Sequence, residues 1–366
     1  MKLLAVVGTR PEAIKMAPLL LALRREPDVA LRLCVTGQHR DMIDPVLDLF
    51  GVQAECDLGL MEEGQSLNAL SARCIAALDR EFSDAKPDRV LVHGDTTTAM
   101  AAALAAFHCG LPVAHIEAGL RTGDIERPFP EEMNRRTIDT VADLLFAPTP
   151  AARANLDAEG ARGRIAVTGN TGVDALELAL AMPGGDEALP PLGSDRRLVL
   201  VTGHRRESLG TGLDDICAAI AAIARRGDVE VVYPVHPNPK VRAPVESALA
   251  QEPNVRLLPP LGYLPLVRLM QRAALILTDS GGIQEEAPSL AKPLLVMRDV
   301  TERAEAIETG QARLVGTTRE RIVAEASAVL DGAAPFATGP NPYGDGKASG
   351  RIVAALLGRP FEPFGA

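Results

Sequence analysis

Short apolar runs without polar alternation recur along the chain: Leu3–Val7, Ala30–Val35, Arg89–His93, Val113–Ile116, Asp143–Ala147 and Ile165–Thr168. Between them, stretches such as Ala13–Arg24, Leu67–Phe82 and Thr97–Cys109 carry Ala, Leu, Arg and Glu at helical spacing. Strands that are apolar on both sides need helices on both faces, so this alternation predicts an α/β fold with a parallel, doubly wound sheet. The rhythm breaks across residues 182–197 (MPGGDEALPPLGSDRR), where Pro, Gly and charge predict a linker. It restarts with Leu198–Thr202, Val229–Val235, Val255–Leu258, Leu275–Thr278 and Leu294–Met297. The expected organisation is therefore a first domain over 1–182, a linker over 183–196 and a second domain over 197–346. A helical stretch over 347–366 follows the Pro/Gly-rich turn at 339–346 and could cross back to the first domain. In open sheets of this kind ligands bind beyond the carboxyl ends of the strands, so two such domains are expected to face each other across a ligand cleft.

Composition narrows the function. With 366 residues, 47% of them hydrophobic, the chain can bury two sheets. A net charge of −10 disfavours nucleic-acid and anionic-membrane partners, so an anionic ligand would need a few placed cations. The absence of Trp argues against carbohydrate binding on flat aromatic platforms. Cys34, Cys56, Cys74, Cys109 and Cys217 are odd in number and scattered, which predicts free buried thiols in a reducing compartment. The first apolar run is too short for a leader, and no run of about 18 apolar residues occurs, so a cytoplasmic location is expected.

Candidate chemistry collects at strand ends. Gly8-Thr9-Arg10-Pro11-Glu12 follows the first strand and opens a helix, where free amides and the Arg10 guanidinium suit a phosphate, with Lys15 further along. The turn has neither G-x-G-x-x-G nor a Walker spacing, and could be a plain strand–helix connection. Asp279-Ser280-Gly281-Gly282 follows another strand, where glycines let amides approach a diphosphate and Glu286 could accept from ribose hydroxyls; an N-cap with first-turn acids is the alternative. Asp95 in VHGDTTT, Glu117 in HIEAGLR and Glu131 in PFPEEMNRR lie on separate loops, and three acids converging on one substrate would suit acid–base work. His93-x-Asp95 and His115-x-Glu117 also admit a metal reading, but without a C-x-x-C or H-E-x-x-H pattern no metal is expected. His204, flanked by Arg205 and Arg206, could neutralise or protonate a departing phosphate, and His236 ends another strand.

Taken together, GTRPEAIKMAPL, VHGDTTT, EAGLRTGDI, PFPEEMNRR, GNTGVDAL, VTGHRRES, VYPVHPNP, DSGGIQEEAPSL and NPYGDGKAS, in this order from residue 8 to residue 349, resemble the non-hydrolysing bacterial UDP-N-acetylglucosamine 2-epimerases. The resemblance implies two Rossmann-like domains of the GT-B type, a last helix returning to the first domain, and a homodimer. It implies reversible C2 epimerisation of UDP-GlcNAc to UDP-ManNAc for surface polysaccharide, by elimination of UDP to 2-acetamidoglucal and re-addition, with no cofactor. By position it implies that Arg10, His204, Ser280, Gly281, Gly282, Glu286 and Arg303 contact UDP. Asp95, Glu117 and Glu131 become the acid–base set, assisted by Lys15 and His204. A second UDP-GlcNAc acting as activator would meet Gln38, Gln65, Arg205, Arg206 and His236. The sequence departs from the family pattern at Asp41, Gly64, Leu261, Leu266 and Ala304. The competing readings are a GT-B glycosyltransferase, a hydrolysing epimerase that releases free ManNAc, and an inactive sugar-nucleotide sensor.

Overall fold

The computed structural model describes residues 1–37, 40–60, 62, 64–191, 195–203 and 211–366. Two compact units divide the chain, one formed by Met1–Leu178 with Tyr343–Ala366 and the other by Ala179–Pro342. The first begins β1 (Lys2–Val7), α1 (Arg10–Arg24), β2 (Ala30–Val35), α2 (Arg40–Phe50), β3 (Cys56–Asp57), α3 (Leu67–Ala85), β4 (Arg89–His93) and α4 (Thr97–His108). It continues through β5 (Val113–Ile116), α5 (Glu131–Val141), β6 (Leu144–Ala147), α6 (Pro150–Ala158), β7 (Arg164–Val167) and α7 (Thr171–Ala181). Its seven strands lie in the order β3-β2-β1-β4-β5-β6-β7, and every pairing is parallel.

The second unit holds β8 (Arg197–Thr202), α8 (Thr211–Ala224), β9 (Val229–Pro234), α9 (Pro239–Leu249), β10 (Val255–Leu258) and α10 (Tyr263–Arg272). Then follow β11 (Leu275–Thr278), α11 (Gly281–Glu286), β12 (Leu294–Val296), α12 (Glu305–Glu308), β13 (Ala312–Leu314) and α13 (Arg319–Leu330). Its parallel sheet runs β10-β9-β8-β11-β12-β13. Both orders are Rossmann-like.

Leu3 to Val7 are all buried, as are Leu275 to Thr278, which is why these strands show no alternation. Each buried Val, Leu or Ile contributes about 1.5–3 kcal/mol. α4 is covered on nearly all sides, and its alanines let it lie close to α3, α5 and the sheet. α1 starts at Arg10, three residues earlier than the sequence pattern indicates, because Thr9 and Glu12 close a capping box.

Chain from the far end completes the first unit. α14 (Ala348–Leu356) packs on α1, and the Asp174 carboxylate accepts the backbone N–H of Ala348 (3.2 Å) and Ser349 (2.7 Å), capping the helix from another element. Gly346 has φ +72°, and a Cβ there would stand 1.9 Å from Glu177 Oε2, so only glycine fits the turn into α14. The cysteines are free, but the expectation that all are buried needs correcting: Cys109 is exposed because it caps the end of α4, and Cys56 is half-buried on the short edge strand β3. Among the described residues no helix is long and apolar enough to cross a membrane.

Candidate active site

Each sheet has one point where its strand order reverses, between β1 and β4 in the first unit and between β8 and β11 in the second. Loops leaving the neighbouring strands there diverge to opposite faces and open a crevice at the carboxyl ends. The candidate residues cluster beside these two points.

In the first unit Glu12 forms the floor. Its Oε2 accepts the N–H of Gly8 (2.9 Å), the N–H of Thr9 (2.6 Å) and the Thr9 hydroxyl (2.9 Å), while Oε1 accepts the Thr96 hydroxyl (2.6 Å). Burial pushes this carboxyl up to about 7 against four donors that favour its charged form. Thr96 also caps α4 by accepting from Ala99 N–H (3.0 Å). The loops after β1 and β4 are thereby locked together. Arg10, first residue of α1, stands half-buried beside them.

One helical turn along α1, buried Lys15 donates to Glu117 Oε2. Asn170 Nδ2 donates to the same oxygen (2.7 Å), and His93 Nε2 lies 3.8 Å from it. Glu117 follows β5 directly and sits at φ +69°, a left-handed backbone that costs a non-glycine residue about 1–3 kcal/mol. Such strain in a buried carboxylate at a strand end marks a position fixed by its surroundings. His93 is itself buried, and burial lowers its proton affinity to about 4, with Lys15 and His115 acting the same way against Glu117 and Asp95. It is neutral at neutral pH.

Asp95 follows β4 and accepts from Arg135 on α5, while Asn134 Nδ2 donates to the Asp95 carbonyl (2.8 Å). Glu131, half-buried, opens α5 one turn before Arg135. Neighbouring Glu132 is fully buried and structural: it accepts from Thr122 N–H (3.1 Å), Arg135 (2.9 Å) and Arg136 (3.1 Å). His115 is a strut as well. Its Nδ1 lies 2.6 Å from Asp139 and its Nε2 2.7 Å from the Gly94 carbonyl, so both nitrogens are engaged. Burial alone would raise the Asp139 carboxyl, but His115 and Arg121 hold it below its usual range. Among the described residues no three His, Cys, Asp or Glu side chains gather to hold a metal ion.

In the second unit Ser280 takes the N-cap position of α11, but its side chain makes no capping bond. A Cβ on Gly281 would come 2.7 Å from the Arg303 guanidinium, which lies across it, whereas among the described residues one on Gly282 would meet only Ser280 Oγ, at 4.0 Å. Packing among the described residues thus demands glycine at the first position and not at the second. Arg303 is held between Glu285 (2.6 Å to Oε1) and Glu302, and Glu302 also accepts from Arg298 (3.1 Å). Buried Glu286 accepts the Tyr263 hydroxyl (2.9 Å).

Lys15 and Glu117 are in direct contact, and Asp95 and Glu131 share the α5 support. Ser280, Gly281, Gly282, Glu286 and Arg303 surround one short helix. Half-buried His236, whose Nδ1 accepts Asn238 N–H (3.1 Å), follows β9. Gln65 in the first unit accepts from Arg73. Gln38, His204, Arg205 and Arg206 lie outside the described residues. Sequence reasoning gave no role to Glu12, Asn170 or Arg135. The T-x-x-E spacing of Thr9 and Glu12 is a capping-box signal, and Arg135 falls four residues after Glu131 on one helical face, but nothing local marks Asn170.

A family model described as UDP-N-acetylglucosamine 2-epimerase matches residues 21–357. A UDP-N-acetylglucosamine 2-epimerase of Escherichia coli O157:H7 is 50% identical over 369 aligned residues, covering 97% of this chain and 98% of its own. The crystal structure of a Neisseria meningitidis UDP-GlcNAc 2-epimerase bound to UDP-GlcNAc superposes with a TM-score of 0.93 at 44% identity, covering 98% of this chain and 100% of that one. An S. aureus protein solved with UDP gives a TM-score of 0.89 at 39% identity, over 99% and 98% of the two chains.

Proposed function

We propose, from the premise that this chain belongs to the UDP-N-acetylglucosamine 2-epimerase family, that it interconverts UDP-GlcNAc and UDP-ManNAc without hydrolysing either. The observation that carries this reading is Glu117, a buried carboxylate in left-handed backbone, clamped by Lys15 and Asn170 beside the first unit's switch point.

The C2 proton of an acetamido sugar is too weakly acidic for simple removal and return. A carboxylate takes it as the C1–O bond to UDP breaks, which leaves 2-acetamidoglucal and UDP. UDP then re-adds to C1 while a second acid delivers a proton to the opposite face of C2. Inversion therefore requires two acid–base groups, which Asp95, Glu117 and Glu131 supply, with Lys15 holding Glu117 in place. The departing diphosphate gains negative charge. Arg10, His204, Arg303 and the amides of Ser280–Gly282 stabilise it, each preorganised donor being worth about 3 kcal/mol of barrier. Glu286 holds the ribose. No redox step occurs, so the reaction needs no cofactor.

On the same reading the enzyme is a cytoplasmic homodimer, and a second UDP-GlcNAc activates it at Gln38, Gln65, Arg205, Arg206 and His236. Incubation with UDP-GlcNAc alone in D₂O tests the proposal: UDP-ManNAc should form without an acceptor and carry deuterium at C2. A transferase would leave the substrate unchanged, and a hydrolysing enzyme would release ManNAc and UDP. Product without C2 deuterium would rule out the carboxylate mechanism.

A further inference from the structure

A carboxylate held by one contact can pivot about it, and a second donor from another element limits that freedom. For Glu117 the second donor is Asn170, which is itself seated by the end of the chain. We propose that Tyr343–Ala366 belongs to the catalytic apparatus: by seating Asn170 it aims the Glu117 carboxylate at the sugar. Asn170 is a positioning residue, since it acts through Glu117. The inference rests on the acid–base role given to Glu117 above and adds to it the part of the chain that directs the acid.

Hydrogen bonding leaves the Asn170 side chain one orientation. It is 3% exposed, and its Oδ1 accepts the N–H of Gly172 (2.8 Å), so the end that meets Glu117 Oε2 (2.7 Å) is the amide NH2. Lys15 donates to the same oxygen from α1.

Asn170 lies in the turn between β7 and α7, and β7 is the last strand of its sheet, so the turn is not flanked by strands on both sides. The carboxyl-terminal segment supports it instead. Phe364 N–H donates to the Val167 carbonyl (3.1 Å), Arg351 Nη1 to the Thr168 carbonyl (3.1 Å), and Asn170 N–H to the Tyr343 carbonyl (2.7 Å). Arg351 is fixed in its turn by the Asp345 carboxylate (2.6 and 2.8 Å). Gly169, at φ +84°, faces Gly344, and a Cβ on Gly169 would stand 3.4 Å from the Gly344 Cα. A Cβ on Gly344 would stand 3.1 Å from Val173 Cγ2 and 3.3 Å from the Asn170 nitrogen. Residues 167–170 are thus gripped one after another by chain that begins at Tyr343, and the last of them reaches Glu117.

Asn170→Asp and Gly344→Ala, alone and together, test this chain of contacts. Asn170→Asp keeps an oxygen for Gly172 but turns the other on Glu117. Its kcat should fall by about ten-fold or more, with the calorimetric affinity for UDP unchanged. Gly344→Ala presses a methyl toward Val173 and the Asn170 nitrogen, and should lower kcat by about three- to ten-fold. Because both act on one carboxylate, the double variant should be little slower than Asn170→Asp alone. Gly350→Ala, in the same segment but with nothing within 4 Å of its Cβ among the described residues, should stay within about two-fold of the native kcat.

Effects of Asn170→Asp and Gly344→Ala that multiply would show that the segment acts by another route. A loss shared equally by kcat and UDP affinity would mark a purely structural part. Either result overturns the inference, as would native kcat in Asn170→Asp or a loss in Gly350→Ala as large as that in Gly344→Ala. Should Asn170→Asp fail to fold, Asn170→Ser takes its place with the same expectations, since its hydroxyl can still accept from Gly172 but is too short to reach Glu117. Deuterium at C2 in native turnover, with a failed cycle, would remove this inference and leave the epimerase reading standing. No C2 deuterium would remove both.

Discussion

At the first unit's switch point cations hold carboxylates: Lys15 holds Glu117, and Arg135 holds Asp95. At the second unit's, carboxylates hold a cation, with Glu285 and Glu302 around Arg303, while Glu286 is met by the Tyr263 hydroxyl. The strand orders match and the polarity is reversed. A carboxylate that moves protons must be kept ionised and aimed, which a buried ammonium and an amide do. A cation meant for an anion must instead be kept from wandering, and flanking acids fix its planar guanidinium in one orientation. Two copies of one topology thus differ in which partner is buried with which, and on the proposed reading that difference divides the labour.

The strongest challenge to that division is Glu117→Gln. It should lower kcat by about 10²–10⁴-fold, with the apparent affinity for UDP nearly unchanged in calorimetry. A large loss of UDP affinity would break the separation of roles. Next, Lys15→Met strands a buried carboxylate and should cost about 3–5 kcal/mol in urea unfolding. Loss of activity without loss of stability would mean that Lys15 is not the clamp.

Adjacent glycines sharpen the second unit's side. Gly281→Ala drives a methyl into the Arg303 guanidinium and should destabilise by about 1–3 kcal/mol. Gly282→Ala should leave thermal unfolding within about 0.5 kcal/mol of the native protein but weaken UDP binding, since among the described residues its Cβ meets only Ser280 Oγ. Equal effects at both positions would contradict the ligand role of Gly282.

The smallest expected effect lies within the first unit. Glu12, raised to about 7, contributes stability that is complete below about pH 4.5 and lost as pH rises through 7. His93, lowered to about 4, contributes stability that is complete above about pH 6.5 and lost as pH falls through 4. Between those limits the two slopes oppose each other. Glu12→Gln should leave stability rising with pH and His93→Gln should leave it falling, each by up to about 1.4 kcal/mol per pH unit in urea titrations from pH 4.5 to 6.5.

Much of this was legible beforehand because burial on both faces writes itself into the sequence as unbroken apolar runs. β3 and β13 were not, since Cys56–Asp57 and Ala312–Leu314 are too short to carry a period. Asp95, Glu117 and Glu131 stand out as acids at strand ends or helix starts. Their supports do not: Asn170 reaches Glu117 across 53 residues and Arg135 reaches Asp95 across 40, contacts set by topology alone. His115 and His93 look alike in the sequence, and only the fold reveals that one is tied at both nitrogens. The paired acids of PFPEEMNRR divide in the same way, Glu132 being sealed by Arg135, Arg136 and Thr122 while Glu131 opens the helix.

The tether between Asp174 and the start of α14 sets the order of assembly. A ribosome delivers Met1–Leu178 first, yet the piece that caps and covers it, Tyr343–Ala366, is made only after the whole intervening unit. Ala179–Pro342 is contiguous and can mature as soon as it emerges, whereas the portion bearing Glu117 waits until Tyr343–Ala366 has emerged. The segment synthesised first is therefore the last to be finished, and during synthesis the unit that holds Arg303 is complete before the unit that holds Glu117.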